Sequence, residues 1–310
     1  MGIQWTMEVP MSEEEQAQGP EGQADDQDRK AAPGKKRVLA IAAIALLVVA
    51  AVAFWYVNFK VPHDAAVKAF DEVTVGLSQR NQELDDAVAS LQGVVDSGNQ
   101  PLDESTQDAA RSAIQSASAA KVEAPQMPSD TEQIKAAAEE VSSLRDYASP
   151  LESLRTAQKS LENSIAQMKL VTNPSGDSVV QRLTGLANVT GAEAVSEDND
   201  PNGMLGKAGS YTATVYFSSD LVDQSKVYPS TGYTPIVAAG TDGGGAVEVY
   251  ATAEDAQKRN DYLAAFDGSI LASGSHKVVG TCVVRTSNFL TASNQQALEA
   301  TVIDGLTKLD

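Results

Sequence analysis

The sequence predicts an α+β protein with an N-terminal transmembrane helix, an antiparallel three-helix bundle or stalk, and a small C-terminal α+β sheet domain. Three observations predict this fold class: an uninterrupted apolar run, a long heptad-like series after it, and a final part that mixes alternating strands with capped helices. The predicted organisation is a disordered cytoplasmic tail, a membrane helix, a helical stalk and an extracellular α+β domain, at residues 1–37, 38–57, 58–171 and 172–310.

The apolar run extends from Val38 to Val57 and contains no charged side chain. At 1.5 Å per residue, a helix of this length spans about 30 Å, which matches the hydrocarbon thickness of a bilayer. Lys30, Lys35, Lys36 and Arg37 precede the run and only Lys60 follows it closely. The positive-inside rule therefore predicts a single-pass protein with a cytoplasmic N-terminus and an extracellular C-terminus, whose partner along residues 38–57 is the lipid bilayer.

A cleaved signal peptide is the competing interpretation of this segment. Ala51-Val52-Ala53 has the small-residue pattern of a peptidase site, so cleavage after Ala53 stays open. We favour the anchor because residues 54–57 continue the apolar run and 37 residues make a long leading region. The tail before the run is rich in Glu, Gln, Gly and Pro, a composition typical of disorder, and translation from Met7 or Met11 also stays open.

Net charge restricts the classes of partner. The chain carries a formal charge of −19, and residues 61–310 hold 17 basic against 34 acidic side chains. Such a surface repels nucleic acid, so we expect no nucleic-acid partner. Cys282 is the only cysteine, which excludes an intrachain disulfide and a thiolate metal cluster.

The stalk begins with one long helix. From Asp64, apolar residues follow one another at alternating spacings of three and four as far as Val95, with Asn81 as a polar member that we expect to fix register. A second helix is predicted from about Asp103 to Lys121. A third begins at a capping box with Ser129 as its N-cap, and a break or kink is expected at Ser149-Pro150.

The C-terminal part predicts the element order α-β-β-α-β-α, with the helices on one face of the sheet. Alternating residues mark strands at 211–218 and 246–251, and 276–287 is a strand region with a bulge or turn at Gly280. Thr252 and Thr291 are the predicted N-caps of two of the helices.

Residues 198–203, Asp-Asn-Asp-Pro-Asn-Gly, match the first half of an EF-hand loop. Oxygens at alternate positions can converge on Ca²⁺, so Asp198, Asp200 and Asn202 are the candidate metal ligands and Ca²⁺ the candidate cofactor. The twelfth position should be Glu and is Gly209. We therefore favour an Asx-rich turn that is held by its own side-chain-to-backbone hydrogen bonds.

No catalytic constellation is evident in the sequence. Cys282 lies in an alternating strand, where we expect a buried thiol, and His276 has no assigned partner. Ser275 precedes His276 directly, so in a strand the two side chains point to opposite faces. Carboxylate chemistry through Glu197, Asp198 or Asp200 is the remaining route to an enzyme.

Several runs of the head carry a family resemblance: EDNDPNGMLGK at 197–207 with Gly209-Ser210-Tyr211-Thr212, GGAVEVY at 244–250, and VGTCVVR at 279–285. Together with AKVEAPQMP at 120–128, they resemble a Gram-positive family of membrane-anchored or lipid-anchored exported proteins of actinobacteria and Firmicutes, some called EbhA-like. The resemblance covers about residues 64–308. It implies a surface location and this domain plan, and it brings no activity.

The function expected from these observations is non-enzymatic. We expect a membrane-anchored cell-surface protein whose acidic α+β module, with or without Ca²⁺, binds an envelope or extracellular ligand. The alternative hypothesis is a cell-envelope hydrolase that uses the carboxylates of the 197–200 loop.

Overall fold

The structure is a computed structural model, and it describes residues 35–144, 146–269 and 272–309. The chain divides into two compact units, one up to Asp64 and the other from Ala65 to Asp310. Most of the predicted disordered tail, residues 1–34, lies outside the described residues.

The first unit is helical wherever it is described. Helix α1 spans Lys35–Trp55, a turn of π-helix spans Tyr56–Lys60, and helix α2, Val61–Val95, begins here. The apolar run lies on α1 and the π-turn, where the described large apolar side chains are exposed. Among the described residues, the helical segment that contains this run is the one candidate, by length and composition, for crossing a membrane.

The second unit begins with helices joined by short connections. After α2 come α3 at Ser105–Ala119, α4 at Thr131–Leu144 and α5 at Ala148–Leu170. Leu77, Leu84 and Leu91 of α2 recur every seven residues, are at most 1% exposed, and share one apolar cluster with residues of α3, α4 and α5. The heptad-like series therefore does mark the buried side of α2.

Hydrogen bonds between distant residues align these helices. Tyr147 donates its hydroxyl proton to Asn81 Oδ1 (2.8 Å) and accepts from the backbone N–H of Val122 (2.9 Å), while Asn81 Nδ2 donates to the Val122 carbonyl (2.9 Å). Asn81 thus has a structural role, as predicted. The N-cap of α4 is Asp130, one residue after the predicted Ser129, because the Asp130 carboxylate accepts from the N–H groups of Glu132 and Gln133.

A five-stranded antiparallel sheet organises the C-terminal part. Its strands are β1 at Gly191–Ala194, β2 at Ala213–Ser218, β3 at Gly244–Val249, β4 at His276–Val279 and β5 at Cys282–Thr286, in the spatial order β1-β2-β3-β5-β4. Its helices are α6 at Gly176–Leu183, α7 at Pro235–Ala239, α8 at Ala253–Ala264 and α9 at Ala292–Thr307, with short 3₁₀ turns at Gln224–Lys226 and Gly240–Gly243.

Helices cover both faces of this sheet, so the prediction of helices on one face was wrong. Strand alternation sends Phe217, Val247 and Val284 to one face, where they pack against α6 and α9. The opposite face receives Val283, which packs with residues of α8, and Ala246, which packs with residues of α7.

The predicted bulge or turn at Gly280 is a turn: the region 276–287 is a hairpin, β4–β5, that turns at Gly280, whose positive φ of 58° suits glycine. β1 and α7 were not predicted. Packing requires a glycine at position 245 of β3, because a Cβ there would collide with the Phe217 ring and the Arg285 carbonyl.

The end of α5 contacts the β4–β5 hairpin. The Val171 carbonyl accepts hydrogen bonds from the Thr281 N–H (2.9 Å) and the Thr281 hydroxyl (3.3 Å). Val171 is fully buried and belongs to the apolar core of the sheet. The predicted division at 171/172 therefore falls inside the second compact unit, at a position where helices and sheet share a core.

Candidate functional site

A cleft of about 880 Å³ opens on the α7–α8 face of the sheet. The 3₁₀ turn after α7, the first turns of α8 and the loop at 201–211 form its walls. Most of its lining surface is polar, and the side chains that bear on its chemistry are Asn202, Tyr216, Asp242, Lys258, Arg259 and Arg285.

The strand register explains which side chains reach the cleft. Tyr216 of β2 is paired with Ala246 of β3, and Ala246 is paired with Arg285 of β5. These three residues form one row across the sheet and point to the same face. The small Ala246 between the two long side chains is fully buried and packs with Val237 of α7.

A buried carboxylate organises the floor of the cleft. Glu248, 4% exposed, accepts hydrogen bonds from Arg259 Nε (2.8 Å) and Nη2 (3.0 Å), from Arg285 Nη1 (2.6 Å) and from the Tyr250 hydroxyl (2.9 Å). Burial acts to raise the pKa of Glu248, but the hydrogen bonds and charges of the two arginines outweigh it and lower that pKa. Glu248 is therefore ionised at neutral pH and positions both guanidinium groups.

The guanidinium group of Arg285 makes only part of the hydrogen bonds that it could make within the described residues. Its Nη1 donates to Glu248, whereas its Nε is buried with no hydrogen-bond partner among the described residues. The Asp242 carboxyl also lines the cleft; burial raises its pKa, and the charge of Arg285 reduces that shift. The two groups interact electrostatically but make no ion pair within 4 Å in the described part of the chain.

The candidate metal ligands lie in different environments. Asp200 is buried, and its carboxylate accepts from the N–H groups of Asn202 (3.0 Å), Met204 (2.7 Å) and Leu205 (2.9 Å), and from the Tyr211 hydroxyl (2.8 Å). Burial acts to raise the pKa of Asp200, and these hydrogen bonds lower it further than burial raises it. These contacts are those of an Asx-type turn, the interpretation favoured from the sequence.

The other two candidate ligands differ in exposure and in partners. Asp198 is exposed, as is Glu197, and the Asn202 side-chain amide donates to the hydroxyls of Tyr216 (3.1 Å) and Tyr211 (3.3 Å). Among the described residues, no group of three or more His, Cys, Asp or Glu side chains is placed to hold a metal ion. The calcium and hydrolase hypotheses therefore both stay predictions.

The remaining sequence candidates lie outside the cleft. Cys282 is fully buried, and burial raises the pKa of its thiol to about 12, so it is not a thiolate at neutral pH. His276 contacts Asn260 Oδ1 (2.8 Å) and Asp267 Oδ1 (3.3 Å), partners that sequence reasoning missed. Ser275 shares a hydrogen bond with the Thr286 hydroxyl (2.8 Å), so it belongs to a different contact set from His276.

Glu248, Arg259 and Arg285 are the site residues that sequence reasoning missed. A signal was present, because Glu248 and Arg285 are opposite charges within two otherwise apolar strands, AVEVYA and CVVRT. Charged residues are almost never buried unless paired, so two such residues predict each other as partners.

Comparisons of the chain with protein-family models, with curated proteins and with solved structures found no match. The family resemblance carried by residues 197–207 and 244–250 therefore stays a prediction, and the function must be argued from the chain's own geometry.

Proposed function

We propose that this chain is a single-pass membrane protein that displays its C-terminal α+β domain on the outer side of the cell membrane, where the domain binds an envelope or extracellular ligand in the cleft. The binding is non-enzymatic. The proposal joins an anchor, a helical spacer and a binding domain in one chain.

The observation that carries the proposal is the exposure of the apolar helix. The described large side chains of α1 are exposed, for example Leu46 at 72% and Leu39 at 68%, and none of the window that is suited to a membrane is buried in the protein. Leaving a large apolar side chain in water forgoes about 1.5–3 kcal/mol relative to burial. A lipid bilayer removes that cost along the whole helix.

Charge and aromatic positions support the orientation. The basic residues before α1 favour the cytoplasm, and Trp55, Tyr56 and Phe59 suit the outer interface. With this orientation, Ala65–Asp310 lies outside the cell.

The helices α2–α5 support the role of a spacer. Contacts near Asn81 join α2 to the 122 region and to Tyr147, and farther along α2 Ser90 contacts Gln158 of α5 (3.3 Å). α5 therefore runs in the direction of α2. α3 runs the opposite way, because Asp103 before it contacts Ser164 near the end of α5 and Lys121 after it contacts Asp85 of α2. This path fits the predicted antiparallel three-helix bundle, in which α4 and α5 form one interrupted third helix.

Protease protection tests the anchor and its direction. The full chain would carry one epitope at each end, and intact cells would be treated with proteinase K after carbonate extraction of a parallel membrane sample. We expect a carbonate-resistant chain that loses the C-terminal epitope and keeps the N-terminal one. A chain released by carbonate, or one with a protected C-terminus, would overturn the proposal.

Matched variants sharpen the result. Leu46→Arg with Leu47→Arg should release the chain from the membrane, because a charge at the centre of a membrane helix costs about 2.5–3.5 kcal/mol. Leu102→Arg, in the second unit, is the control that should leave carbonate resistance unchanged. Loss of the N-terminal epitope during export would identify cleavage after Ala53 instead of anchoring.

The calcium hypothesis for Asp198, Asp200 and Asn202 has its own test. Melting of the full chain in detergent would be followed with and without millimolar Ca²⁺, and Mg²⁺ would serve as the matched divalent ion. Stabilisation by Ca²⁺ alone, lost in Asp198→Asn, would support the site, and an unchanged melting temperature would remove it.

A further inference from the structure

We propose that the cleft recognises its ligand through an oxyanion, a carboxylate or a phosphate group, held by the guanidinium of Arg285, with the Tyr216 hydroxyl donating to a neighbouring polar atom of the ligand. The inference rests on the proposed function, since it names the chemistry of the ligand in the same cleft.

The charge balance of the cleft floor supports an anion. Two guanidinium groups, Arg259 and Arg285, share the single buried carboxylate of Glu248. The two arginines therefore outnumber the carboxylate that they share, and the Asp242 carboxyl, which lines the same cleft and interacts with Arg285, opposes their charge from the cleft wall. Lys258, also on the cleft wall, already pairs with Glu254 (2.9 Å) and Asp255 (3.6 Å), so an oxyanion would be held by an arginine and not by Lys258.

Arg285 is the better placed of the two arginines. Arg259 binds Glu248 through two nitrogens, whereas Arg285 uses one. A guanidinium has five N–H donors in a fork that fits carboxylate and phosphate oxygens. The Arg285 side chain lines the cleft and is 14% exposed, and its hydrogen bonding within the described residues is confined to the Nη1 contact with Glu248, which leaves further donors for a ligand.

Tyr216 supplies a second donor in the same row. Its hydroxyl accepts from Asn202 Nδ2, which leaves its own proton free to donate. Burial raises the pKa of Tyr216, so the hydroxyl keeps that proton at neutral pH. Tyr216 lies two strands from Arg285, roughly 10 Å across the backbone, which suits a ligand larger than a single ion.

Asp242 sets a condition on the ligand. Its carboxyl lies in the same cleft and opposes a simple anion, so the ligand should carry an N–H or O–H donor close to its oxyanion. Removing the Asp242 charge should therefore tighten the binding of a simple anion, an effect opposite in sign to that of most site mutations.

Arginine side-chain NMR tests this inference on the full chain in zwitterionic detergent. The Nε–Hε signal of Arg285, assigned by its loss in Arg285→Lys, would be followed during titration with acetate, with inorganic phosphate and with the neutral isostere acetamide at constant ionic strength. We expect saturation at roughly millimolar to tens of millimolar anion, the range that so few ligand atoms allow. Acetamide should give no saturable shift.

Variants make the result specific. Asp242→Asn should tighten anion binding by about three- to tenfold. Tyr216→Phe should leave the affinity for acetate and phosphate unchanged within twofold, because its hydroxyl lies two strands from Arg285 and would contact a different atom of a larger ligand. Asp220→Asn removes an exposed charge away from the cleft and should leave the affinity unchanged within twofold. A saturable shift with acetate alone would identify the ligand group as a carboxylate, and one with phosphate alone would identify it as a phosphate. Saturable shifts with both would support recognition of an oxyanion of either kind.

Three results would overturn the inference: no saturable shift with either anion, an equal shift with acetamide, or an Asp242→Asn affinity within twofold of the original. Protease protection does not depend on the cleft. A chain that is anchored with its C-terminus outside but binds neither anion would therefore reject the ligand class and leave the anchoring intact.

Discussion

The two faces of the sheet bury different chemistry under similar helical covers. Under α6 and α9, the side chains that the strands bury are mainly apolar, with Phe217 and Val247 fully buried. Under α7 and α8, the same strands bury Glu248 and hold Arg285 beside a polar cleft. Because successive residues of a strand face opposite ways, neighbours such as Tyr216 and Phe217 belong to different environments.

The difference assigns stability and the proposed ligand binding to opposite faces of one small sheet. Apolar burial stabilises the fold without directional demands. A buried ion network contributes little net stability, because desolvation offsets its Coulombic gain, but breaking it is costly. The apolar face should therefore set the free energy of unfolding, and the polar face should set what the domain binds.

The largest expected effect is on the apolar face. Phe217→Ala should lower the free energy of unfolding by about 3–5 kcal/mol, because it leaves a cavity in a closed core. Urea denaturation of the full chain in detergent, followed by tyrosine circular dichroism, measures it. Phe289→Ala removes an exposed ring, 45% accessible, and is the matched control. Equal losses in the two variants would contradict the importance of the apolar face.

On the polar face, Glu248→Gln should cost about 3 kcal/mol, since it leaves two arginines beside a neutral amide. The same denaturation experiment applies, with the exposed Glu197→Gln as a control expected to stay within about 0.5 kcal/mol. An unchanged free energy of unfolding in Glu248→Gln would mean that the carboxylate neither stabilises the fold nor is needed to hold the two guanidinium groups in place.

Acid should act selectively on the polar face. Because the folded-state pKa of Glu248 is lowered, its contribution is fully present above the unfolded value of about 4.3 and is lost as pH falls through the folded value. The free energy of unfolding should decline less steeply below about pH 4.3 in Glu248→Gln than in the original chain. Identical pH profiles would show that Glu248 does not titrate differently on folding.

The smallest expected effects come from one helix cap on each face. Thr252 Oγ1 accepts from the Asp255 N–H (3.1 Å) at the start of α8, and Thr291 Oγ1 accepts from the Asn294 N–H (3.3 Å) at the start of α9. Replacing either threonine with Ala should cost about 1 kcal/mol, while Ser should restore most of it. If only one of the two Ala variants loses free energy of unfolding, then only the helix that it caps unfolds together with the rest of the domain.

Much of the fold could be predicted because its signals are local. The series through Leu77, Leu84 and Leu91 defines the buried side of α2, and the caps at Thr252 and Thr291 fix two helix starts within one residue. β1 and α7 escaped prediction because four residues of GAEA and five of PIVAA are too short for periodicity to show.

The site depended on information that no local pattern contains. Glu248, Arg259 and Arg285 come from three separate segments, and only the β3–β5 register with the docking of α8 brings them together. Likewise, the Asp200 turn was evident in the sequence, whereas its contact with the Tyr211 hydroxyl depends on where β2 begins.

Cys282 adds a further consequence. Its sulfur lies 3.6 Å from the Val171 carbonyl, at the point where the end of α5 contacts the hairpin, and no part of the side chain is exposed. As the chain's only thiol, it reacts with a thiol reagent only while the helices and the sheet are apart. The rate at which a thiol reagent labels the unmodified protein therefore measures how often the helices and the sheet separate. A cleft ligand that slows this labelling would show that ligand binding in the cleft is coupled to the contact between α5 and the hairpin.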